Sequence, residues 1–213
     1  MLEDKLKQLD HLYPLKEIDT KEFSNFRLNG MNFEVKAYDC FAMGRVSLMK
    51  SRSAAGIMEV NTMIINPFEI DAPLFSYDLM KVMGNYSLLL EQFNTLVDAQ
   101  RKEKAFIDLS KKYSYLNDYP SKTCWYDDIR LSSICKKGKK KDLNSFDQLF
   151  DEYFSLYLDL CADALICDEE EKREKANYYR DGLIENGGPA TDLFVKKWGK
   201  EKTEEFFKEI LFG

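Results

Sequence analysis

Carboxylate and amide side chains inside predicted strands are the groups in this sequence best suited to chemistry. Over residues 57–66 the side chains alternate with the two-residue period of a strand, which puts Glu59 and Asn61 on the same face. If helices cover that face, the pair lines a pocket; if water covers it, both are ordinary surface residues. Asp78 stands at the start of the next predicted strand, where an Asp is most often a turn or cap residue.

The sequence lacks the residues of most common catalytic sites. The single histidine, His11, lies in a helix-like N-terminal segment, so a Ser-His-Asp or Cys-His site would have to be built around it. The only near pair of cysteines, Cys161 and Cys167, is better explained by core packing than by zinc. No GxxxxGKS/T or GxGxxG segment is present to hold the phosphates of ATP or a dinucleotide. An enzyme of this sequence would therefore use carboxylates, amides and an external electron or group donor.

The composition is that of an acidic chain with enough material for one core. The 213 residues are 45% hydrophobic and 14% aromatic, which argues against disorder. A net charge of −6 disfavours general binding to nucleic acid. No apolar run approaches the ~20 residues of a membrane helix, and the charged start MLEDKLKQLD does not resemble a secretory signal. Five cysteines without a CxxC pair are typical of reduced thiols, so we expect a cytoplasmic location.

The pattern along the chain predicts strands first and helices afterwards. Leucines at helical spacing predict a helix over the first dozen residues. Alternation predicts strands at residues 32–37, 44–51, 57–66, 75–83 and 86–92. Helical spacing predicts helices at residues 146–164, 168–183 and 203–211. The short links make neighbouring strands antiparallel, and the order predicts one α+β domain over residues 1–213, with its sheet mainly in 30–97 and its helices mainly in 98–213.

A basic run interrupts this acidic chain. It begins at Lys136, ends at Lys141 and contains five lysines and one glycine. One interpretation is a solvated loop between helices. The other is a docking patch for an acidic partner, either a protein or a nucleic acid.

Two segments resemble the ferredoxin-dependent bilin reductases. Residues 58–80, MEVNTMIINPFEIDAPLFSYDLM, resemble the central strand pair of that family, in which a strand bearing His or Asn leads through a proline-containing link to a P-L-x-x-x-D motif. Residues 194–213, FVKKWGKEKTEEFFKEILFG, resemble its terminal signature. The matching residues are Pro73, Leu74, Asp78, Trp198, Gly199, Leu211 and Phe212. With Trp125 and a long helix from about Asn144 in the expected places, the resemblance spans at least residues 44–213.

The resemblance implies an α/β/α sandwich, in which a central, mostly antiparallel sheet is flanked by helices and an open-chain tetrapyrrole lies between the sheet and the C-terminal helices. It implies no bound flavin, nicotinamide or metal: reduced ferredoxin, or flavodoxin, supplies single electrons and the protein supplies protons to a bilin radical. The expected function is reduction of biliverdin or a related bilin. Two alternatives stay open, a non-catalytic bilin-binding protein and a reductase of another tetrapyrrole such as a chlorophyll catabolite. The basic run would suit ferredoxin docking.

The resemblance also implies roles for individual residues. The essential aspartate of the family maps to Asp78, which we expect to donate a proton, because desolvation in an apolar pocket raises the pKa of a carboxyl group. A gap-free comparison puts Asn61 at the neighbouring His or Asn position, and a one-residue gap puts Thr62 there. We favour Asn61, because family members that lack His carry Asn. Its amide would orient Asp78 or form a hydrogen bond with the ligand.

Further residues are predicted to contact the ligand, and two positions depart from the family pattern. The predicted substrate-binding residues are Glu59, Met63, Arg45, Arg130 and Asp192; arginines, with Lys50, are included because the ligand carries propionates. A second family aspartate aligns with Gly188, which leaves the second proton donor unidentified, with Glu185 or Asp192 as substitutes. The usual acidic residue late in the following strand appears as Gln92.

Overall fold

One antiparallel sheet organises the computed structural model, which describes residues 2–97, 103–120 and 123–213. Its strands are β1 Leu15–Ile18, β2 Asn25–Leu28, β3 Met31–Cys40, β4 Gly44–Ser53, β5 Met58–Pro67, β6 Leu74–Val82, β7 Asn85–Phe93, β8 Asn117–Asp118 and β9 Arg130–Lys139. They lie in the order β1-β3-β4-β5-β6-β7-β9-β8, and β2 pairs with β3. Consecutive strands from β3 to β7 are neighbours, as short antiparallel connections require.

Helices cover both faces of this sheet. They are α1 Leu2–Leu12, α2 Glu103–Lys112, α3 Leu143–Ala162, α4 Glu169–Asn186, α5 Pro189–Trp198 and α6 Lys200–Glu205, and a π-helical segment, Phe206–Phe212, ends the chain. Side chains of α1, α2 and α3 form one apolar core with the sheet. Side chains of α4, α5 and the π-helical segment form the other. The α/β/α sandwich expected from the resemblance is confirmed.

The two-residue period of the strands assigns each side chain to one of these cores. On β5, Met63 and Ile65 pack with α3, whereas Ile64 packs with the C-terminal helices. On β6, Tyr77 faces α3 and Leu74 faces the other way. We call the two sides the α3 face and the α4 face of the sheet, and the site described below lies on the α4 face.

The sequence predictions differ from the structure mainly after residue 97. The five predicted strands correspond to β3 to β7, and the predicted N-terminal and long helices correspond to α1 and α3. The interpretation of the basic run as a solvated loop is wrong for its first four residues, which lie in β9. Only 3% of Lys136 is exposed, and its Nζ lies 2.6 Å from Asp118 Oδ1. The apolar stem of a lysine can be buried while its ammonium is paired, which hid this strand in the sequence.

Polar side chains of the sheet hold the C-terminal segment against the α4 face. Ser47 Oγ donates a hydrogen bond of 2.9 Å to Leu211 O, and Asn66 Nδ2 donates one of 2.8 Å to Phe212 O. The last carbonyl groups of a helix lack intrahelical donors, so these side chains satisfy them. The terminal Leu-Phe pair is thereby fixed over the sheet and closes the core on this face.

Candidate active site

Asp78 and Thr62 form the centre of the site. They lie directly opposite each other in the β5–β6 pair, on the α4 face, and Thr62 Oγ1 donates a hydrogen bond of 2.5 Å to Asp78 Oδ1. Burial raises the pKa of Asp78 to about 7, although the hydrogen bond from Thr62 opposes this shift, and the charge of Glu91 adds to it. A carboxyl group with this pKa is protonated in a large fraction of molecules at neutral pH, as a proton donor requires.

A second carboxylate, Glu91, lies on the same face. In the β6–β7 pair Asp78 is opposite Leu89 and Ser76 is opposite Glu91, so Glu91 is the diagonal neighbour of Asp78. Such neighbours are about 7–8 Å apart. Burial raises the pKa of Glu91, while the charge of Arg130 and a hydrogen bond from the Ser133 hydroxyl lower it. The site therefore holds two desolvated carboxyl groups side by side.

Arg130 is the cation of the site. Its Nε lies 3.1 Å from Glu91 Oε1, and its Nη2 lies 3.0 Å from Asp127 Oδ1. The guanidinium carbon is 5.1 Å from the centre of the Tyr126 ring, a distance typical of a cation–π contact. The prediction that Arg130 binds substrate stays a prediction, and its position beside Glu91 on the α4 face is compatible with it.

Tyr179 of α4 packs over the site. Its ring stacks on Phe93 of β7, with ring centres 4.1 Å apart, and 7% of the residue is exposed. Burial raises the pKa of its hydroxyl well above the usual value, and the charges of Glu91 and Asp78 add to that shift. Tyr179 is therefore close enough to both carboxylates to feel their charge, and it stays neutral.

Trp125 lies against the same helix because residue 182 is a glycine. A Cβ atom at Gly182 would lie 2.3 Å from the Trp125 ring, which is closer than side chains can approach. The ring centres of Trp125 and Tyr179 are 5.9 Å apart. The indole Nε1 of Trp125 is buried and forms no hydrogen bond. This N–H is a free donor in the aromatic wall of the site.

The structure does not bring Asn61 to Asp78. Asn61 is opposite Leu79 and lies on the α3 face, whereas Thr62 faces Asp78. Our preference for Asn61 over Thr62 was therefore wrong, and the alternative with a one-residue gap gives the correct neighbour. The physical reason is the period of a strand, in which a shift of one residue moves a side chain to the opposite face.

Glu59 and Met63 share the α3 face with Asn61, as the alternation predicted, and so they are also separated from Asp78. Glu59 Oε1 forms ion pairs with Arg52 at 3.2 Å and with Lys81 at 3.1 Å. Met63 is completely buried in the core beneath α3. The structure thus gives both residues roles in ion pairing and packing, and corrects the expectation that they line the same pocket as Asp78.

Arg45 and Asp192 have other partners in the structure. Arg45 lies on the α4 face, but its Nη1 donates to Glu209 O at 2.7 Å and its Nη2 to Asp39 Oδ1 at 2.9 Å. Asp192 is exposed on α5 and accepts a hydrogen bond of 3.3 Å from the backbone N–H of Gly188. Arg45 anchors the C-terminal segment and Asp192 caps the start of α5. Substrate binding by either residue stays a prediction.

Gln92 was singled out from the sequence, but the side chain that faces the site is that of its neighbour, Glu91. Gln92 is 2% exposed and lies opposite Ser132 on the α3 face. Glu91, which sequence reasoning missed, faces the site. The signal was available in the two-residue turn at Met83 and Gly84, because that turn fixes the β6–β7 register.

Within residues 2–97, 103–120 and 123–213, no three His, Cys, Asp or Glu side chains are grouped so that they could hold a metal ion. The helices in these ranges are too short or too polar to cross a membrane. All five cysteines are free thiols.

Comparison with known proteins gives the family. The model of a family described as ferredoxin-dependent bilin reductase matches residues 12–213. Among solved structures, phytochromobilin synthase from tomato, in complex with biliverdin, has a TM-score of 0.76 at 13% identity, over 97% of this chain and 79% of that one. No curated protein sequence matches the chain. Since the family match covers almost the whole sequence, this chain belongs to the ferredoxin-dependent bilin reductases and is an oxidoreductase.

Proposed function

We propose that this chain reduces biliverdin or a closely related linear tetrapyrrole with electrons from reduced ferredoxin, and that Asp78 supplies a proton. The observation that carries the proposal is the Asp78 carboxyl group, hydrogen-bonded to Thr62 and with its pKa raised to about 7. In each step the tetrapyrrole takes one electron from ferredoxin and one proton from the protein. Two such steps reduce one double bond through a radical intermediate.

The α4 face offers the surface that an open-chain tetrapyrrole needs. Tyr179, Trp125 and Tyr126 present aromatic surface beside the two carboxyl groups, and a conjugated ligand packs well on such rings. Arg130 supplies a cation for a propionate group. The tomato protein of the same fold binds biliverdin, which supports this substrate class for the present chain.

Asp78 has a simple role in this scheme. Its protonated carboxyl donates the proton as the tetrapyrrole becomes an electron-rich radical, and water afterwards returns a proton to the carboxylate. Thr62 holds the carboxyl group in one orientation through the hydrogen bond to Oδ1. The proposal includes no bound flavin, nicotinamide or metal, because the family draws its electrons from ferredoxin. A cytoplasmic location, suggested by the free cysteines, is part of the proposal.

Ferredoxin would dock at the end of the sheet formed by the β6–β7 turn. Val82, Met83 and Ile57 are exposed apolar residues there, and Met83 is 78% exposed. Lys139 reaches this turn, since its Nζ donates a hydrogen bond of 2.5 Å to Asn85 Oδ1, and the exposed Lys140 and Lys141 follow it. An apolar centre beside lysines in an otherwise acidic chain suits a small acidic electron carrier.

An anaerobic absorbance titration tests the function. The purified protein is mixed with biliverdin, and reduced ferredoxin with its reductase is then added. We expect a saturable, red-shifted bilin band that decays into a product band. Asp78→Asn should retain the bilin band and lose turnover by a factor of about 10²–10⁴, whereas the matched variant Asp159→Asn, exposed on α3, should turn over normally.

Three outcomes would contradict parts of this proposal. A bilin band that never changes with any reduced ferredoxin would indicate a binder. Absence of a band would exclude biliverdin as the ligand. Normal turnover by Asp78→Asn would exclude Asp78 as the proton donor.

A further inference from the structure

The scheme above uses one carboxyl group, but reduction of a double bond consumes two protons. Glu91 is a buried carboxylate on the same face as Asp78 and about 7–8 Å from it. Its position makes it the natural candidate for a second proton, provided that something removes its negative charge.

The Arg130 cation stabilises the negative charge of Glu91. Its Nε is 3.1 Å from Glu91 Oε1, yet this N–H forms no hydrogen bond. Asp127 Oδ1, 3.0 Å from Nη2, is likewise buried without a hydrogen bond. With the buried indole N–H of Trp125, these atoms form a set of polar groups whose hydrogen bonds are not satisfied within the protein.

Buried polar atoms without partners point to a ligand that supplies them. A guanidinium prefers a planar, two-point contact with a carboxylate, and neither Glu91 nor Asp127 gives it one. A propionate of the tetrapyrrole proposed above can give that contact. If it does, Arg130 turns toward the propionate and its contact with Glu91 weakens.

We propose that Glu91 is the second proton carrier of the site, and that it takes up its proton when the carboxylate of a bound tetrapyrrole draws Arg130 away from it. This inference rests on the proposed function. Substrate binding itself thereby puts the proton on Glu91.

In the free protein the Arg130 cation lies beside Glu91 and favours its carboxylate form. On binding, the propionate becomes the partner of Arg130, and Glu91 binds one proton from water. Two reduced ferredoxins then lose one electron each, while the O–H bonds of Asp78 and Glu91 break and give one proton each to the tetrapyrrole. Asp78 regains its proton from water before the next turnover, and Glu91 does so when the next tetrapyrrole binds.

The surroundings of Glu91 favour the neutral carboxylic acid once Arg130 has moved. Burial already raises the pKa of Glu91, and the charge of Arg130 is the main factor that lowers it. The negative charge of Asp127 favours protonation of Glu91, and the Ser133 hydroxyl opposes it. The titratable groups that surround Glu91 are Asp78 from β6, Arg130 and Cys135 from β9, Tyr126 and Asp127 from the segment before β9, and Tyr179 from α4.

The test counts protons during binding. Asp78→Asn is the background, because it removes the titration of Asp78, and the comparison is Asp78→Asn with Glu91→Gln. In weak buffer at pH 7 with an indicator dye, biliverdin is added under anaerobic conditions. We expect the double variant to take up about one proton fewer per bound bilin than Asp78→Asn alone. Biliverdin dimethyl ester, which has no free carboxylate, should reduce uptake by Asp78→Asn to the value of the double variant.

The bilin absorbance band separates the possible failures. A saturable band with equal proton uptake in the two variants overturns the role of Glu91. A saturable band with the expected difference, but with the same uptake for biliverdin and its ester, overturns the displacement of Arg130. Absence of a band overturns the proposed function and this inference with it. Glu91→Gln keeps the size of the side chain, and a cooperative thermal unfolding transition confirms that each variant is folded.

Discussion

Thr62 and Asp78 face each other across the β5–β6 pair, with 2.5 Å between Thr62 Oγ1 and Asp78 Oδ1. A hydroxyl that donates to a carboxylate stabilises the ionised form. The same contact therefore orients the acid and limits how far burial raises its pKa, which stays at about 7. Thr62 thus tunes the pH range in which Asp78 can donate a proton.

The first prediction concerns Thr62→Val, which keeps the branched shape and removes the hydroxyl. The pKa of Asp78 should rise by about one unit, because the ionised form loses a hydrogen bond to a charged group. The protonated acid then persists to higher pH, so the alkaline fall of kcat/KM should move upward by the same amount. The pH profile of turnover measures this shift.

Thr62→Ser is the matched control, because it retains the hydroxyl. Its profile should follow that of the original protein. An alkaline limb that stays in place in Thr62→Val, or moves to lower pH, would show that the hydrogen bond does not set the pKa of the catalytic acid.

The second prediction concerns stability. Because the pKa of Asp78 is raised to about 7 from 3.8, the folded protein holds this proton more tightly than the unfolded chain between those pH values. The contribution of Asp78 to stability is therefore lost as the pH rises toward 7. Asp78→Asn cannot ionise, so its thermal midpoint should exceed that of the original protein on the order of 5 °C at pH 8, with little difference at pH 4.

Thermal unfolding at several pH values measures this difference. Asp159→Asn, on the exposed side of α3, should show no such dependence. A destabilised Asp78→Asn variant at pH 8 would mean that the ionised carboxylate is stabilised in the folded protein, contrary to its environment.

Much of the fold is readable from the sequence, because burial on one side of each element imposes a clear period. The alternation at Phe33, Val35 and Ala37 identified β3, and the aromatic repeat from Phe146 to Tyr157 identified α3. β9 was missed because Lys136 occupies an inward-facing position. Its burial depends on the ion pair with Asp118. Asp118 lies in a two-residue strand, which is too short to give a pattern in the sequence.

The site was predicted less well, because its residues are brought together by strand register. Asp78 was identified through the family motif. Asn61 was wrongly favoured over Thr62 as its neighbour, since the link between β5 and β6 is too long to fix a register. The position of Glu91, in contrast, could have been predicted from the sequence. The tight turn after Val82 fixes the β6–β7 register and puts Glu91 on the same face as Asp78.

A third prediction concerns Lys172, a buried lysine of α4 that ties this helix to the sheet. Its Nζ donates hydrogen bonds to Ala72 O at 2.6 Å, to Thr95 O at 2.5 Å and to Thr95 Oγ1 at 2.9 Å. Lys172→Met fills the same space but leaves buried acceptors without donors, so it should reduce the free energy of unfolding by about 2–4 kcal/mol. Urea unfolding measures this loss, and Lys175→Met, on the half-buried side of α4, is the control.

The function of Lys172 is structural, because it positions α4, which carries Tyr179 over the site. Burial lowers the pKa of Lys172 to about 8. Above that pH the folded protein has released this proton, whereas the unfolded chain still holds it. Stability should therefore increase with pH between about 8 and the ordinary lysine pKa of 10.5. A variant Lys172→Met as stable as the original protein would exclude this anchoring role.

The last prediction concerns ferredoxin docking. Reversal of two charges in Lys140→Glu/Lys141→Glu should raise the KM for ferredoxin about tenfold at low salt and leave the bilin band unchanged, because these exposed side chains lie beside the β6–β7 turn and away from Asp78. The matched control Lys196→Glu/Lys197→Glu changes two exposed lysines of α5. Steady-state rates at several ferredoxin concentrations measure both variants. Equal effects of the two double variants would mean that net charge, rather than this end of the sheet, governs the encounter with ferredoxin.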